Sequence, residues 1–316
     1  MKRIAYVAIL LLALAACKRD NEPDQPAPEA QMPAQEGSGE INGYALVWED
    51  SFDEATLNAS FWNIETVANP ANNEIQYYRK DNVSMVLDSA TGRRCLCLTA
   101  RKESYNGKQC TSGRVNTKGK VAYKHGKVEA MIKLPKTYKG LWPAFWMMGN
   151  DYNSVGWPRC GEIDILEMGN KGGFGSADKS EKYLNGACHW GYYQDGAYPN
   201  YGKSSTYKYS VQDGEFHLFT LIWDETQIRT YIDLDKYPNA TPYYTIGIEV
   251  PADGPHANGT CWDTGCYFHK DFFVIFNLAI GGHFPDIYDI NGITALNADN
   301  GYEAKMLIDY VRIYQK

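Results

Sequence analysis

The sequence predicts an all-β fold, a sandwich or jelly roll of many short strands, and three observations predict it. Apolar and polar residues alternate in short runs. Those runs are separated by Gly, Asn, Asp and Pro. No long segment keeps a 3.6-residue apolar period with caps at both ends. The run Gly126-Lys127-Val128-Glu129-Ala130-Met131-Ile132-Lys133-Leu134 shows the pattern most clearly, with one apolar face and one polar face. A half-buried antiparallel strand requires that division. Comparable runs cover 95–101, 216–223, 227–233, 272–278 and 305–314. With no internal repeat and no second linker, residues 41–316 read as one domain with ample length for a single core.

The first forty residues read differently. Met1-Lys2-Arg3 precedes an apolar stretch over 4–16 and then Cys17. A basic start, an apolar run and small residues before the break describe a secretory signal peptide over 1–16. The run is shorter than the roughly 20 apolar residues that span a membrane. Leu14-Ala15-Ala16-Cys17 resembles a bacterial lipobox, which makes Cys17 the expected lipidation site; an ordinary cleaved signal with an incidental cysteine is the alternative. Residues 18–40 hold four prolines and no aromatic side chain. They cannot bury enough surface to offset their ordering entropy, so 17–40 reads as a lipidated cysteine and a disordered tether. The expected location is the cell envelope: attachment to a membrane through acyl chains, at the outer membrane or on a periplasmic or surface-exposed side.

Charge and composition exclude some partners. The formal net charge is -7, and removal of Lys2 and Arg3 makes it more negative still. There is no basic cluster, so no nucleic-acid partner is expected. Aromatics are 14% of the chain, with 24 Tyr, 8 Trp and 11 Phe. A β-rich core accounts for such a content, and so does carbohydrate binding, because pyranose rings present flat apolar faces that stack on aromatic rings. Of the 8 cysteines, those other than Cys17 are odd in number, so at least one thiol stays free if all pairing is internal. Cys261 and Cys266 are placed to close a short loop, whereas Cys95 and Cys97, two apart on one strand, are poorly placed to bridge each other. No cysteine set has zinc-ligand spacing, and no metal site is expected on that ground.

The chemistry is concentrated in Gly161-Glu162-Ile163-Asp164-Ile165-Leu166-Glu167-Met168. Strict alternation sets Glu162 and Asp164 on one face and would turn Glu167 to the other. One extra residue, a β-bulge near Ile165-Leu166, returns Glu167 to the side of Glu162. Retaining glycosidases use a carboxylate nucleophile and a protonated carboxylic acid roughly 5–5.5 Å apart. Four effective strand steps span about 13 Å between Cα atoms, so the side chains must lean together across a bent sheet. An acid between them can hold or share a proton and keep their pKa values apart. Three acids also suit a calcium ion, and the residues around them favour catalysis.

Those residues carry a resemblance. Glu-Ile-Asp-Ile-Leu-Glu resembles the signature of glycoside hydrolase family 16 in its bulged, laminarinase-like form. Asn72-Asn73-Glu74-Ile75-Gln76-Tyr77-Tyr78, Thr111-Ser112-Gly113-Arg114 and Gly140-Leu141-Trp142-Pro143-Ala144-Phe145-Trp146 fall in the expected order before it. Trp157-Pro158-Arg159-Cys160-Gly161, His189-Trp190, 272–282 and Ile308-Asp309-Tyr310-Val311-Arg312-Ile313-Tyr314 continue it, so that it covers nearly all of 44–316. The resemblance implies a β-jelly-roll sandwich of the concanavalin A-like lectin/glucanase type, with a concave catalytic cleft suited to cutting inside a polymer. It implies Glu162 as nucleophile, Glu167 as general acid/base and Asp164 as the assisting acid. Trp142, Trp146 and Trp157 would line the subsites, Asn73 and Arg114 would bond sugar hydroxyls, and His189 would sit on the leaving-group side. Each has a plainer alternative: core packing for Trp146, an ion pair with an acid such as Glu74 for Arg114, a structural role for His189. Tyr77 and Tyr78 point to opposite faces of a strand, so at most one would meet a sugar.

The implied reaction is hydrolysis of internal β-linkages by a monomer that needs no cofactor. The substrate is a polysaccharide or oligosaccharide, with β-1,3- or mixed-linkage glucan ahead of mucin O-glycans and algal galactans. A glycan-binding protein without chemistry and a transglycosylase are the rival readings. Some family members hold calcium on the convex face, where Asp309 is a candidate ligand and a strand-capping acid is the alternative. One departure bears on substrate. Family members commonly carry Asn-Trp-Pro-Gly after the paired glycines, whereas Gly281-Gly282 is followed here by His283-Phe284-Pro285-Asp286. The segment 169–185, with Gly172-Gly173-Phe174-Gly175, is expected as a mobile loop beside the cleft.

Overall fold

A computed structural model describes residues 43–251 and 262–316. The expected signal peptide, Cys17 and the tether lie outside the described residues, as does Cys261.

Two antiparallel sheets face each other. Across one sheet the strands run Asn200–Thr206, Tyr183–His189, Glu162–Met168, Leu141–Gly149, Phe272–Ile280, Arg114–Asn116 and Asn63–Ile64. The other runs Tyr244–Gly247, Gln227–Ile232, His217–Trp223, Gly126–Lys133, Glu303–Gln315, Arg94–Arg101, Thr111–Ser112 and Tyr77–Tyr78. Only the last pairing of that sheet is parallel. Neighbours in space are often distant in sequence: Glu303–Gln315 lies between Arg94–Arg101 and Gly126–Lys133. The fold is thus the all-β sandwich that the alternating runs predict, and each run named above falls on a strand with ends shifted by a residue or two.

One core fills the space between the sheets. From the Leu141–Gly149 strand, Leu141, Phe145 and Met147 point into it; from Phe272–Ile280 come Val274, Phe276 and Leu278. The rings of Phe145 and Phe276 stack with centroids 4.8 Å apart. Full burial of one such side chain contributes roughly 1.5–3 kcal/mol. The alternate residues of the first strand, Trp142, Ala144, Trp146 and Met148, face the other way and line a cleft. The period-2 pattern therefore assigns core and cleft together.

Two expectations concern residues away from the cleft. Asp309 is the residue skipped at a register shift between Ile308 and Tyr310, and its carboxylate accepts a 2.5 Å bond from Arg93. The Arg93 guanidinium thus brings a positive charge to the buried acid. Cys95 and Cys97 are free thiols, buried together in a small cluster against Leu307. Cys266 is disulfide-bonded.

Candidate active site

The acid strand carries the bulge that the sequence requires. Against the Leu141–Gly149 strand, Phe145 pairs with Leu166 and the next residue, Trp146, pairs with Asp164, so Ile165 has no partner. Against Tyr183–His189, three steps from Asp164 to Glu167 face two steps from Ala187 to Asn185. Ile165 and Leu166 both enter the core, and Glu162, Asp164 and Glu167 all line the cleft. The cleft encloses about 690 Å³ on the side of the sheet away from the core.

Each outer carboxylate has an indole donor of its own. Trp157 Nε1 donates to Glu162 Oε2 at 2.7 Å, and Trp142 Nε1 donates to Glu167 Oε1 at 3.0 Å. The second oxygen of Glu167 accepts from Asn185 Nδ2 at 2.7 Å. Asn185 is held in turn by Ser204, whose hydroxyl donates to its Oδ1 at 2.9 Å. His189 stands opposite Glu162 in the register, its Nε2 lying 3.4 Å from Asp164 and 3.9 Å from Glu162. It therefore belongs beside Glu162 and Asp164. By cross-strand register the place beside Glu167 falls to Asn185.

Burial sets the electrostatics. It raises the Glu167 carboxyl, the Asp164 charge raises it further, and His189 and the two N–H donors oppose that shift. Burial and the neighbouring Glu162 charge likewise raise Asp164. Glu162 is also raised by burial, but His189, Trp157 and Arg114 all favour its charged form. Burial works against a charged His189, yet the close approach of Asp164 and the field of the three acids together raise it to about 9. One cation thus sits among three acids, as like charges gathered in a low dielectric require. Glu162, Asp164 and His189 offer donor atoms within 4.8 Å of one another, the spacing of a metal site. The direction of the His189 shift favours its protonated form beside these acids.

The remaining expected residues divide. Trp146 lines the cleft, and its Nε1 donates to Asn277 at 2.7 Å. Arg114 also lines the cleft, with its guanidinium 5.0 Å from the Trp146 ring centre, and its ion pair is with Glu65 at 3.1 Å. Glu74, the acid expected to pair with it, instead accepts bonds from Gln76 and Tyr78 while lying in the field of Arg114. Asn73 stands one contact back from the cleft: its Nδ2 lies 3.1 Å from Nε2 of His283, which lines the cleft with Asn72 and Glu74. Its left-handed backbone, φ 53°, turns the side chain toward the 283–288 loop. Tyr78 is fully buried and Tyr77 packs on Tyr105, so neither lines the cleft. Of the segment 169–185, residues 169–182 are short turns and the one-turn helix Ala177–Ser180, tied to the neighbouring loop by Lys171, and the last three begin the strand Tyr183–His189.

Residues 60–268 match the sequence model of glycosyl hydrolases family 16. The chain belongs to that family. Among solved family 16 structures it is similar to the GH16 of a Bacteroides ovatus mixed linkage glucan PUL in complex with a G4G4G3G product. The two are 39% identical with a TM-score of 0.70, covering 85% of this chain and 100% of that one. The laminarinase catalytic domain of Thermotoga maritima is 32% identical with a TM-score of 0.66, covering 86% of this chain and 98% of that one. The clotting factor G alpha subunit of Tachypleus tridentatus is 32% identical over 275 residues, 86% of this chain; the chain spans 34% of that relative's length.

Within the family 16 cleft, three residues escape a reading of motifs. Asn185 shares a face with His189 by strict alternation along Tyr183–His189, a signal that was present in the sequence. Asn277 is the one polar residue of the strand Phe272–Ile280, which is buried throughout. Tyr198 packs edge-on against Trp157, with centroids 4.7 Å apart, from a loop that no periodicity places.

Proposed function

We propose that this family 16 chain is a retaining endo-β-glucanase acting on β-1,3- or mixed-linkage glucan. One observation carries the reading: a bulged strand presents three carboxylates to one cleft, and the two outer ones are held in contrasting surroundings. Glu162, favoured in its charged form by His189 and Trp157, attacks the anomeric carbon. Glu167, buried and raised, gives its proton to the departing oxygen as the glycosidic bond breaks. A glycosyl ester on Glu162 results. Glu167 then takes a proton from water, whose oxygen attacks the same carbon and releases Glu162. Asp164 lies between them, where a raised carboxyl can hold a proton and spare the site a third negative charge. His189 offsets the charge that remains.

The glucan preference is supported by the similarity to the mixed linkage glucan and laminarinase structures. A second reading, cleavage of mucin O-glycans or algal galactans, is favoured by His283-Phe284-Pro285-Asp286, which replaces the common loop where sugars would be read. A binding protein without chemistry is disfavoured by the intact acids and their donors. Product analysis on laminarin, mixed-linkage glucan, agarose, carrageenan and mucin glycans separates these. Glucan oligosaccharides with retained anomeric configuration by NMR are expected, whereas an inverted product would sink the mechanism and galactan products the preference. Oligosaccharides built onto a labelled sugar acceptor would instead show a transglycosylase. The lipobox-like segment supports a second proposal, an envelope protein anchored through Cys17. Expression in a Gram-negative host should place it with membranes, and Cys17→Ser should release it.

A further inference from the structure

The indole of Trp142 holds the acid/base carboxyl, and its own sheet gives it little support. Its strand neighbour on the cleft face is Ala144, and its cross-strand partner is Ala279. Both are too small to fix a large ring in one orientation. Support comes instead from Phe284, whose ring lies on the indole with centroids 4.8 Å apart and planes inclined by 15°. Offset stacking of this kind orients the indole plane as well as burying it.

Phe284 is itself held by backbone. His283 N donates to Asn72 O at 2.9 Å, and Phe284 O accepts from Lys171 N at 3.1 Å. The Lys171 ammonium reaches Asp286 at 3.1 Å, binding the two loops a second time. Gly282 permits the approach: its φ is +94°, and a Cβ there would lie 2.7 Å from Asn72 O. The loop that departs from the common family pattern is therefore anchored on both sides and delivers one aromatic ring onto the indole.

We propose that Phe284 is a positioning residue for Glu167, acting through Trp142. It keeps the indole N–H aimed at Oε1, where the 3.0 Å bond orients the carboxyl toward the departing oxygen. The inference rests on the assignment of Glu167 as acid/base. The charged groups facing Glu167 are Glu162 and Asp164 on its own strand and His189 on the next; Trp142 and Asn185 are its neutral donors. Loosening the Trp142 bond removes a stabiliser of the charged form, so the carboxyl should lose its proton at higher pH.

The test is Phe284→Ala, Trp142→Phe and the double variant, assayed as kcat/KM against pH. On polysaccharide, Phe284→Ala should lose about tenfold, one hydrogen bond's worth of orientation, and its alkaline limb should move up. On an aryl glycoside with an acidic phenol leaving group, which needs little proton assistance, the loss should be distinctly smaller. Phe284→Trp should restore both readouts. In the double variant, Phe284→Ala should add little to Trp142→Phe, because the two act on one bond. An unmoved limb with equal loss on both substrates would make Phe284 only a wall or sugar platform, and full additivity would overturn the route through Trp142. A wild type inactive on every glycan would overturn the underlying assignment, and this one with it.

Discussion

Glu167 takes one hydrogen bond from an indole and one from an amide, each donated by a different neighbouring strand. Both bonds favour its charged form, while burial and Asp164 favour the neutral one. In the proposed mechanism the neutral form acts in the first step, so activity should fall as pH rises through this raised pKa. The limb should lie above the ordinary carboxyl range. Asn185→Ala removes a donor to the charged form and should move the limb higher still; a pH profile of kcat/KM checks it, and a downward move would refute the account. Glu162→Gln should abolish turnover on all substrates, since no nucleophile remains. Equal degradation by that variant and the parent would restore the binding-protein reading. At this scale the three acids, the tryptophans and Arg114 were legible in the sequence, because residue type and spacing carry them. Asn185 was legible only by counting back along its strand from His189.

The bulge belongs to the element scale. Its extra residue sends Ile165 and Leu166 together into the core and keeps Glu167 in the cleft. Deleting Ile165 should restore strict alternation beyond Asp164. Leu166 then faces the core, Glu167 the cleft and Met168 the core, as they do with the bulge, so the deletion variant should keep its three acids on one face and retain activity. A folded deletion variant without activity would show that alternation alone does not set the face of Glu167. The paired glycines act at the same scale. Gly282→Ala should lower stability by about 1–3 kcal/mol, because it combines left-handed backbone with a clash against Asn72 O. Thermal unfolding measures this, and an unchanged Tm would mean that the loop shifts freely. The bulge was legible because a face-count fails without it. The contact between the 72–74 and 282–284 segments was not, since two loops so far apart in sequence meet only once the sheets are assembled.

For the molecule as a whole, the cleft is a store of instability. Glu167 has a folded pKa above its unfolded value, raised to about 8. The neutral group is tolerated on folding, and stability is lost as pH rises from the unfolded carboxyl range through that raised value. His189, raised to about 9, works the other way at neutral pH: its contribution is complete below the unfolded histidine pKa and disappears as pH passes the folded one. Glu167→Gln should therefore be more stable than the parent at pH 8, by on the order of 1 kcal/mol or more, given about 1.4 kcal/mol per pKa unit. Near pH 4 the two should converge, because the parent carboxyl is then protonated as well. Melting curves at both pH values decide it, and an identical gap at each would mean that packing, not charge, separates them. By contrast, Phe276→Ala in the core should cost about 3–5 kcal/mol at either pH.

By itself the sequence determined the period of the strands, the need for one extra residue among the acids, and the family whose signature they form. Those are local properties, carried by alternation and by residue types at fixed spacing. Assembly of the sheets alone sets which residues hold the acids: Trp142 and Asn185 on Glu167, Trp157 and His189 on Glu162, and Arg93 on Asp309. Assembly also sets Asn73 against His283 and lays Phe284 on Trp142. The physical reason is common to all of these. Cross-strand register and loop-to-loop contact join residues tens or hundreds of positions apart, and no local period records which of them will meet.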